Sequence, residues 1–252
     1  MARTARKEAS SGIYHVMQRG VGRQIIFEDD VDRRFYLTVL REELVAREGV
    51  LLAWCLMDNH VHLLVQIALD ELSEVMRALG SAYALFFNRR HDRVGHLFQD
   101  RFMSEPVEDE RYLLTVVRYI HQNPVRAGMS PTCDYRWSSY PAYMGARDES
   151  GQTSCDLVLS LFGTTDELVR FHKEFDYSGG CMDVGATGRP RSDEAARKIA
   201  VQALGKIRPE EVASLPRPRR NEAIRTLRAT SLSLRQIERL TGVSRAVVSR
   251  VR

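Results

Sequence analysis

Two histidines one residue apart, His60 and His62, stand in the apolar run Asn59-His60-Val61-His62-Leu63-Leu64-Val65. A strand alternates its side chains, so both imidazoles share one face while Val61, Leu63 and Val65 occupy the other. Neutral imidazole is the commonest protein ligand for a divalent metal, and such a pair supplies two ligands of a site whose third must come from elsewhere. Two half-exposed surface histidines fit the same spacing. A second group lies in Arg118-Tyr119-Ile120-His121-Gln122-Asn123-Pro124, where Tyr119 and Asn123, four apart, share a helical face. Imidazole pair, phenol and carboxamide together could handle a phosphodiester, with a metal polarising the phosphate while a tyrosine oxygen attacks phosphorus in line. Tyr119 equally suits a seam between helix and sheet, and Asn123 suits a helix end before Pro124. Tyr112 is a rival nucleophile without an amide partner, His121 reads as a surface residue, and His15 and His96 are weaker candidates to approach phosphate.

Periodicity outlines the elements that must position these groups. Residues 13–18 read as a short strand ending at Arg19-Gly20-Val21-Gly22, where glycines permit a turn or a close backbone approach. Residues 30–47 carry Val31, Phe35, Leu37, Leu40, Leu44 and Val45 at helical spacing, with Gly49 as the stop. Residues 50–57 and 60–67 form a hairpin about the Asp58-Asn59 turn. Residues 70–88 return to helical spacing and lead into a basic loop, Arg89-Arg90-His91-Asp92-Arg93. A further strand falls within residues 95–107, and a third helix runs from 108 to about 122. The first six elements spell βαββαβ. That order predicts an α+β, ferredoxin-like antiparallel sheet with helices on one face, and the third helix is placed across the strands beside His60 and His62. Tyr135-Arg136-Trp137-Ser138-Ser139-Tyr140 is an aromatic patch that seals the end of this domain.

Charge divides the chain more sharply than its net value of +4 suggests. Residues 184–252 sum to +10, residues 141–183 carry eight acidic against three basic side chains, and residues 1–140 are near neutral at −1. The composition predicts a first domain over 1–140, an acidic connector over 141–189 and a basic helical domain over 190–252 suited to a polyanion such as nucleic acid. A merely soluble, charged helical tail has the same composition. Helical segments are expected at 193–204, 208–215, 219–230 and from 232 onward. In the last, Leu234, Ile237 and Leu240 form an apolar stripe before the turn Thr241-Gly242-Val243. Ser244 then caps a helix carrying Val247, Val248 and Val251. This is helix-turn-helix grammar, with Arg245, Ser249 and Arg250 facing phosphate or bases.

Four widely spaced cysteines without a Cys-x-x-Cys pair imply neither a disulfide framework nor a cysteine zinc site. No apolar stretch approaches the roughly 18 residues of a membrane span, and the opening Met-Ala-Arg-Thr-Ala-Arg-Lys lacks a signal peptide's apolar segment. A cytoplasmic, nucleoid-associated protein without a membrane partner is expected.

Trp54-Cys55-Leu56-Met57-Asp58-Asn59-His60-Val61-His62-Leu63-Leu64-Val65, residues 118–128 and Trp137-Ser138-Ser139-Tyr140 together closely resemble the single-tyrosine (HUH) transposases of the IS200 type. Residues 15–20 and 95–102 match the style of the branch associated with repetitive extragenic palindromes, and the resemblance spans residues 11–141. It implies an HUH-nuclease fold in which His60 and His62 ligate a divalent ion, Mg²⁺ or Mn²⁺, and Tyr119 is the nucleophile. Asn123 falls where the family has a polar residue, often a glutamine that completes the metal site. The shorter side chain leaves direct ligation or a water bridge open. The implied reaction cuts single-stranded DNA beside a hairpin or palindromic element, leaving a 5′-phosphotyrosine on Tyr119 and a free 3′-hydroxyl. Arg19, Arg89, Arg90, Arg93 and Arg101 are the candidate DNA contacts of the first domain, and Arg245 and Arg250 those of the second, which would meet duplex DNA. Monomer and homodimer are both compatible with the resemblance. A catalytically silent DNA-binding or regulatory protein with the same fold is the alternative.

Overall fold

Alternating apolar side chains build the central hairpin, and amphipathic segments on either side supply its helices. The computed structural model describes residues 6–174, 181, 193–205, 207–230, 232 and 234–251. Strand β1 (Ile13–Arg19) leads to helix α1 (Asp30–Val45), strands β2 (Val50–Met57) and β3 (His60–Gln66), helix α2 (Leu69–Arg90), strand β4 (Met103–Pro106) and helix α3 (Glu110–Arg126). The strands hydrogen-bond in the order β2-β3-β1-β4, every neighbour antiparallel, giving the expected ferredoxin-like α+β sheet. Gly20, at the end of β1, serves close approach, since a Cβ there would collide with the Gln24 carbonyl, whereas Gly22 holds a φ of 59°.

The sheet has two different faces. Tyr14 and Val16 of β1, Trp54 and Leu56 of β2, and Val61, Leu63 and Val65 of β3 pack against α1 and α2. Ile13, Ala53, Cys55, Met57 and Leu64 pack against Leu113, Val116, Val117 and Ile120 of α3 on the other. Each fully buried valine or leucine contributes about 1.5–3 kcal/mol, so the apolar side of β3 locks its register and thereby the direction of His60 and His62.

Residues 135–174 belong to this same body, so the described part of the expected 141–189 connector is folded onto the first unit. Trp137 O accepts from Leu56 N at 2.9 Å and Ser139 N donates to Trp54 O at 2.9 Å, extending the sheet beyond the edge of β2. Short helices α4 (Tyr140–Tyr143), α5 (Asp156–Leu159) and α6 (Thr165–Lys173) then send Tyr143, Val158 and Leu168 into the α3 core. Asp148 accepts from the Trp54 indole at 3.1 Å, which gives the ring's only donor a partner inside the protein. The chain accordingly divides into compact units at Met1–Val184 and Gly185–Arg252, not at residue 140. An acidic, glycine-broken composition concealed a few well-placed apolar residues.

Within Gly185–Arg252, helices α7 (Asp193–Leu204), α8 (Arg217–Arg228), α9 (Leu234–Thr241) and α10 (Arg245–Arg250) surround Ala196, Ala200, Val212, Ile224, Leu227, Ile237 and Val248. The segment expected as a helix over 208–215 is a 3₁₀ helix, Pro209–Ser214. Helix α8 starts earlier than expected because Pro218 fits its first turn, where a proline's missing N–H has no helical partner to lose. The α9–turn–α10 unit is present, with Gly242 at φ 70°. Ser244 occupies the N-cap position without a side-chain cap bond, and Thr241 holds the turn by accepting from Val243 N at 3.2 Å.

Helix α3 extends past its expected end to Arg126, with Pro124 inside it, and His121 on this helix is fully buried, not a surface residue. The Leu168 carbonyl can only accept, so His172 donates to it from Nδ1 at 2.9 Å and must accept at Nε2 from His121 Nδ1, also 2.9 Å away. His121 Nε2 then accepts from the Ser139 hydroxyl at 2.7 Å. Burial holds His172 down to about 4 and His121 well below the ordinary imidazole range, so both are neutral inside the fold. As pH falls below about 6.5, the unfolded histidines protonate first, and stability drops by about 1.4 kcal/mol per pH unit for each until the folded value is reached. Urea-unfolding midpoints should therefore fall between pH 7.5 and pH 5.0, and an unchanged midpoint would contradict neutral burial.

Candidate active site

On the α3 face of the sheet, His62 is fully buried and His60 is 2% exposed. Their rings meet edge to face with centroids 5.1 Å apart, and the Tyr119 ring lies edge-on to His62 at 5.3 Å. Asn123, one turn after Tyr119, is also buried and donates from Nδ2 to the Tyr119 carbonyl at 3.0 Å, so its Oδ1 is the lone-pair atom left for a ligand. The Arg126 guanidinium stands over the Tyr119 ring at 4.8 Å. His15, placed on β1 across from Leu64, brings Nε2 to 3.0 Å from His62 Nδ1 and its ring to 5.9 Å from Tyr119. Burial pushes His15 down to about 3, while burial and then the neighbouring His60, His15 and Arg126 hold His62 well below the usual imidazole range. Tyr112, the rival nucleophile, instead lies beside Glu105 and Cys181, and burial pushes its phenol up.

These residues suit a divalent ion. His62 Nε2 is buried with no hydrogen-bond partner among the described residues, an arrangement that normally costs about 1–3 kcal/mol and that a ligand would relieve. His60 Nδ1 is 2.7 Å from the Asn59 amide oxygen, which can only accept, so Nδ1 bears the proton and Nε2 the lone pair.

Residues 8–123 match the family model described as Transposase IS200 like. In this segment the chain is similar to the IS200-like transposases. Among solved structures, that of a REP-associated tyrosine transposase bound to a REP hairpin aligns with a TM-score of 0.49 and 17% identity, covering 57% of this chain and 86% of that one. A transposase candidate from Deinococcus radiodurans R1 aligns with a TM-score of 0.33 and 19% identity, covering 48% and 95% respectively. A comparison with curated proteins finds no match.

The basic side chains expected to meet DNA fall into different settings in the first unit. Arg89 and Arg90 form the last turn of α2, not a loop, in keeping with the helix dipole's preference for cations there. Arg90 bonds Asp29 and the fully buried carboxylate of Asp32, each at 2.6 Å, and His91 meets Asp32 at 3.0 Å. Arg90 thus ties α2 to the start of α1. Arg93 folds back onto Gln24 and lies over Phe87. Arg19 pairs in register with His60, while Arg89 and Arg101 are exposed. Arg101 lines a groove of about 1170 Å³ with Arg6, Lys7, His96, Phe98 and Phe102 beside β4. Arg250 is exposed on α10, and the side chains of Arg245 and Ser249 lie outside the described residues.

Sequence reasoning underrated His15 because its place beside His62 depends on strand register across 47 residues. It missed Arg126 altogether, although a spacing of seven residues from Tyr119 on one helix was a usable signal. The Arg90 tie predicts that Arg90→Ala destabilises the fold by about 1–3 kcal/mol, since it leaves Asp32 short of a cation, whereas Arg89→Ala changes it by less than about 0.5 kcal/mol. Thermal unfolding of both variants checks the difference.

Proposed function

We propose that this protein cleaves and rejoins single-stranded DNA beside hairpins through a covalent 5′-phosphotyrosine on Tyr119. The family match supports transposase-type DNA processing, and the observation that carries the finer reading is the packing of the Tyr119 ring against His62, whose Nε2 is buried without a hydrogen-bond partner among the described residues. His60 and His62 would hold the ion through Nε2, with Asn123 Oδ1 as a third donor directly or through water. When bound, Mg²⁺ or Mn²⁺ would polarise the scissile phosphate and offset charge on its oxygens.

Tyr119 Oη attacks phosphorus in line, forming the Oη–P bond as the P–O3′ bond breaks. The proton lost from the phenol balances the one gained by the departing 3′ oxygen. A phosphotyrosine ester keeps the energy of the broken linkage, so a 3′-hydroxyl attacking that phosphorus rejoins the strand and restores Tyr119 without ATP. The Arg126 guanidinium over the tyrosine ring favours negative charge developing on its oxygen. Arg19, Arg89 and Arg101 are the phosphate contacts we assign to the domain, and binding through them falls with salt.

The Gly185–Arg252 unit, with its +10 charge over residues 184–252 and its α9–turn–α10 pair, is proposed to grip duplex DNA and so raise the local concentration of the catalytic domain. Deleting residues 190–252 should then weaken duplex affinity while sparing cleavage of a short hairpin oligonucleotide. Unchanged duplex affinity would remove that role.

The central test incubates a hairpin-bearing single strand with Mn²⁺ and reads the covalent adduct on a denaturing gel. Tyr119→Phe should lower adduct formation by at least ~10³-fold, whereas Tyr112→Phe retains it. An adduct that persists without Tyr119 defeats the assignment, and salt-sensitive binding with no adduct in the wild type would favour a silent DNA-binding protein.

A further inference from the structure

The two histidines proposed as ligands each have a neighbour that determines which nitrogen carries the proton. For His60 that neighbour is Asn59, whose own Nδ2 donates to the Arg23 carbonyl at 3.2 Å, which turns Oδ1 toward the imidazole. For His62 it is His15. The two rings are fully buried and stacked, with centroids 5.2 Å apart and planes 28° from parallel. Met17 is the residue opposite His62, and His15 lies two positions back on the same strand face, diagonal to His62 and within reach of a long side chain.

A neutral imidazole has one donor and one acceptor, so the 3.0 Å bond between His15 Nε2 and His62 Nδ1 can run in only two directions. If His15 donates, His62 keeps its proton on Nε2, and that nitrogen cannot ligate. If His62 donates, its Nε2 carries a lone pair, and His15 becomes the acceptor with its own proton on Nδ1. Only the second direction is compatible with an ion at His62. We infer that His15 is a positioning residue that accepts the Nδ1–H of His62 and so fixes the ring orientation and tautomer in which His62 binds a divalent cation. This rests on the metal-site reading above. His15 acts through His62, because its Nε2 is already engaged by that ring.

Removing such an acceptor lowers metal affinity about 10–100-fold in comparable sites. Mn²⁺ titration of the full chain, followed by electron paramagnetic resonance of the free ion, should show that loss for His15→Leu. His15→Gln, whose amide oxygen can stand where Nε2 stood, should recover most of it. His62→Ala is the control. If His62→Ala binds Mn²⁺ like the wild type, the metal-site reading itself fails. If His62→Ala loses Mn²⁺ and His15→Leu titrates like the wild type, the role of His15 is overturned. Long-range ¹H–¹⁵N spectra of the wild-type protein loaded with diamagnetic Zn²⁺ need no variant and so stand even if His15→Leu does not fold. They should show His62 and His15 each protonated on Nδ1, and a proton on His62 Nε2 would overturn the inference.

Discussion

The pairing of β1 with β3 is the constraint on which the other features depend. It puts Arg19 opposite His60 and Met17 opposite His62, and it sets Val61, Leu63 and Val65 against α1 and α2. Because side-chain direction alternates with period two, a slip of one residue would carry both imidazoles into the apolar layer and the three aliphatic side chains toward α3. Burying imidazoles there without partners is unfavourable by a few kcal/mol each. The apolar half of the strand therefore determines where the polar half points, and the site inherits its precision from the core.

The domain contains two buried histidine pairs, and hydrogen-bond accounting separates them. His121 and His172 have every ring nitrogen engaged, through each other, the Leu168 carbonyl and the Ser139 hydroxyl. Nothing is left for a ligand, and the pair fastens α3 to α6 and to the sheet extension. His15 and His62 share one bond and leave His15 Nδ1 and His62 Nε2 buried without hydrogen-bond partners among the described residues. Both pairs are held neutral by burial. Only the second retains lone-pair capacity beside a tyrosine, which is the condition for chemistry.

Much of this architecture was legible because its signals are local. Alternation in residues 60–65 gave the two-faced strand, and helical spacing gave α1, α2 and the shared face of Tyr119 and Asn123. What escaped depends on distant partners. His121 looked like a surface residue because its partner His172 comes from a segment whose composition reads as a linker. Arg90 looked like a DNA contact because its partner Asp32 lies 58 residues away. A basic side chain at a helix end suits phosphate and a buried carboxylate equally well, and only the tertiary fold decides between them.

Helix α3 shows how the two kinds of information meet. Val116, Val117 and Ile120 pack on the sheet, Tyr119 meets the histidines, and the remaining face is held by α6 and the chain after it. There Gln122 donates to the carbonyls of His172 and Glu174 at 2.8 and 3.1 Å, and the Arg118 guanidinium lies over Phe171 at 4.3 Å. Moving the helix would break apolar packing on one side and buried hydrogen bonds on the other at once, each break costing on the order of 1 kcal/mol or more. The segment that composition marks as a linker thus acts as a brace, holding α3 and its tyrosine against the sheet.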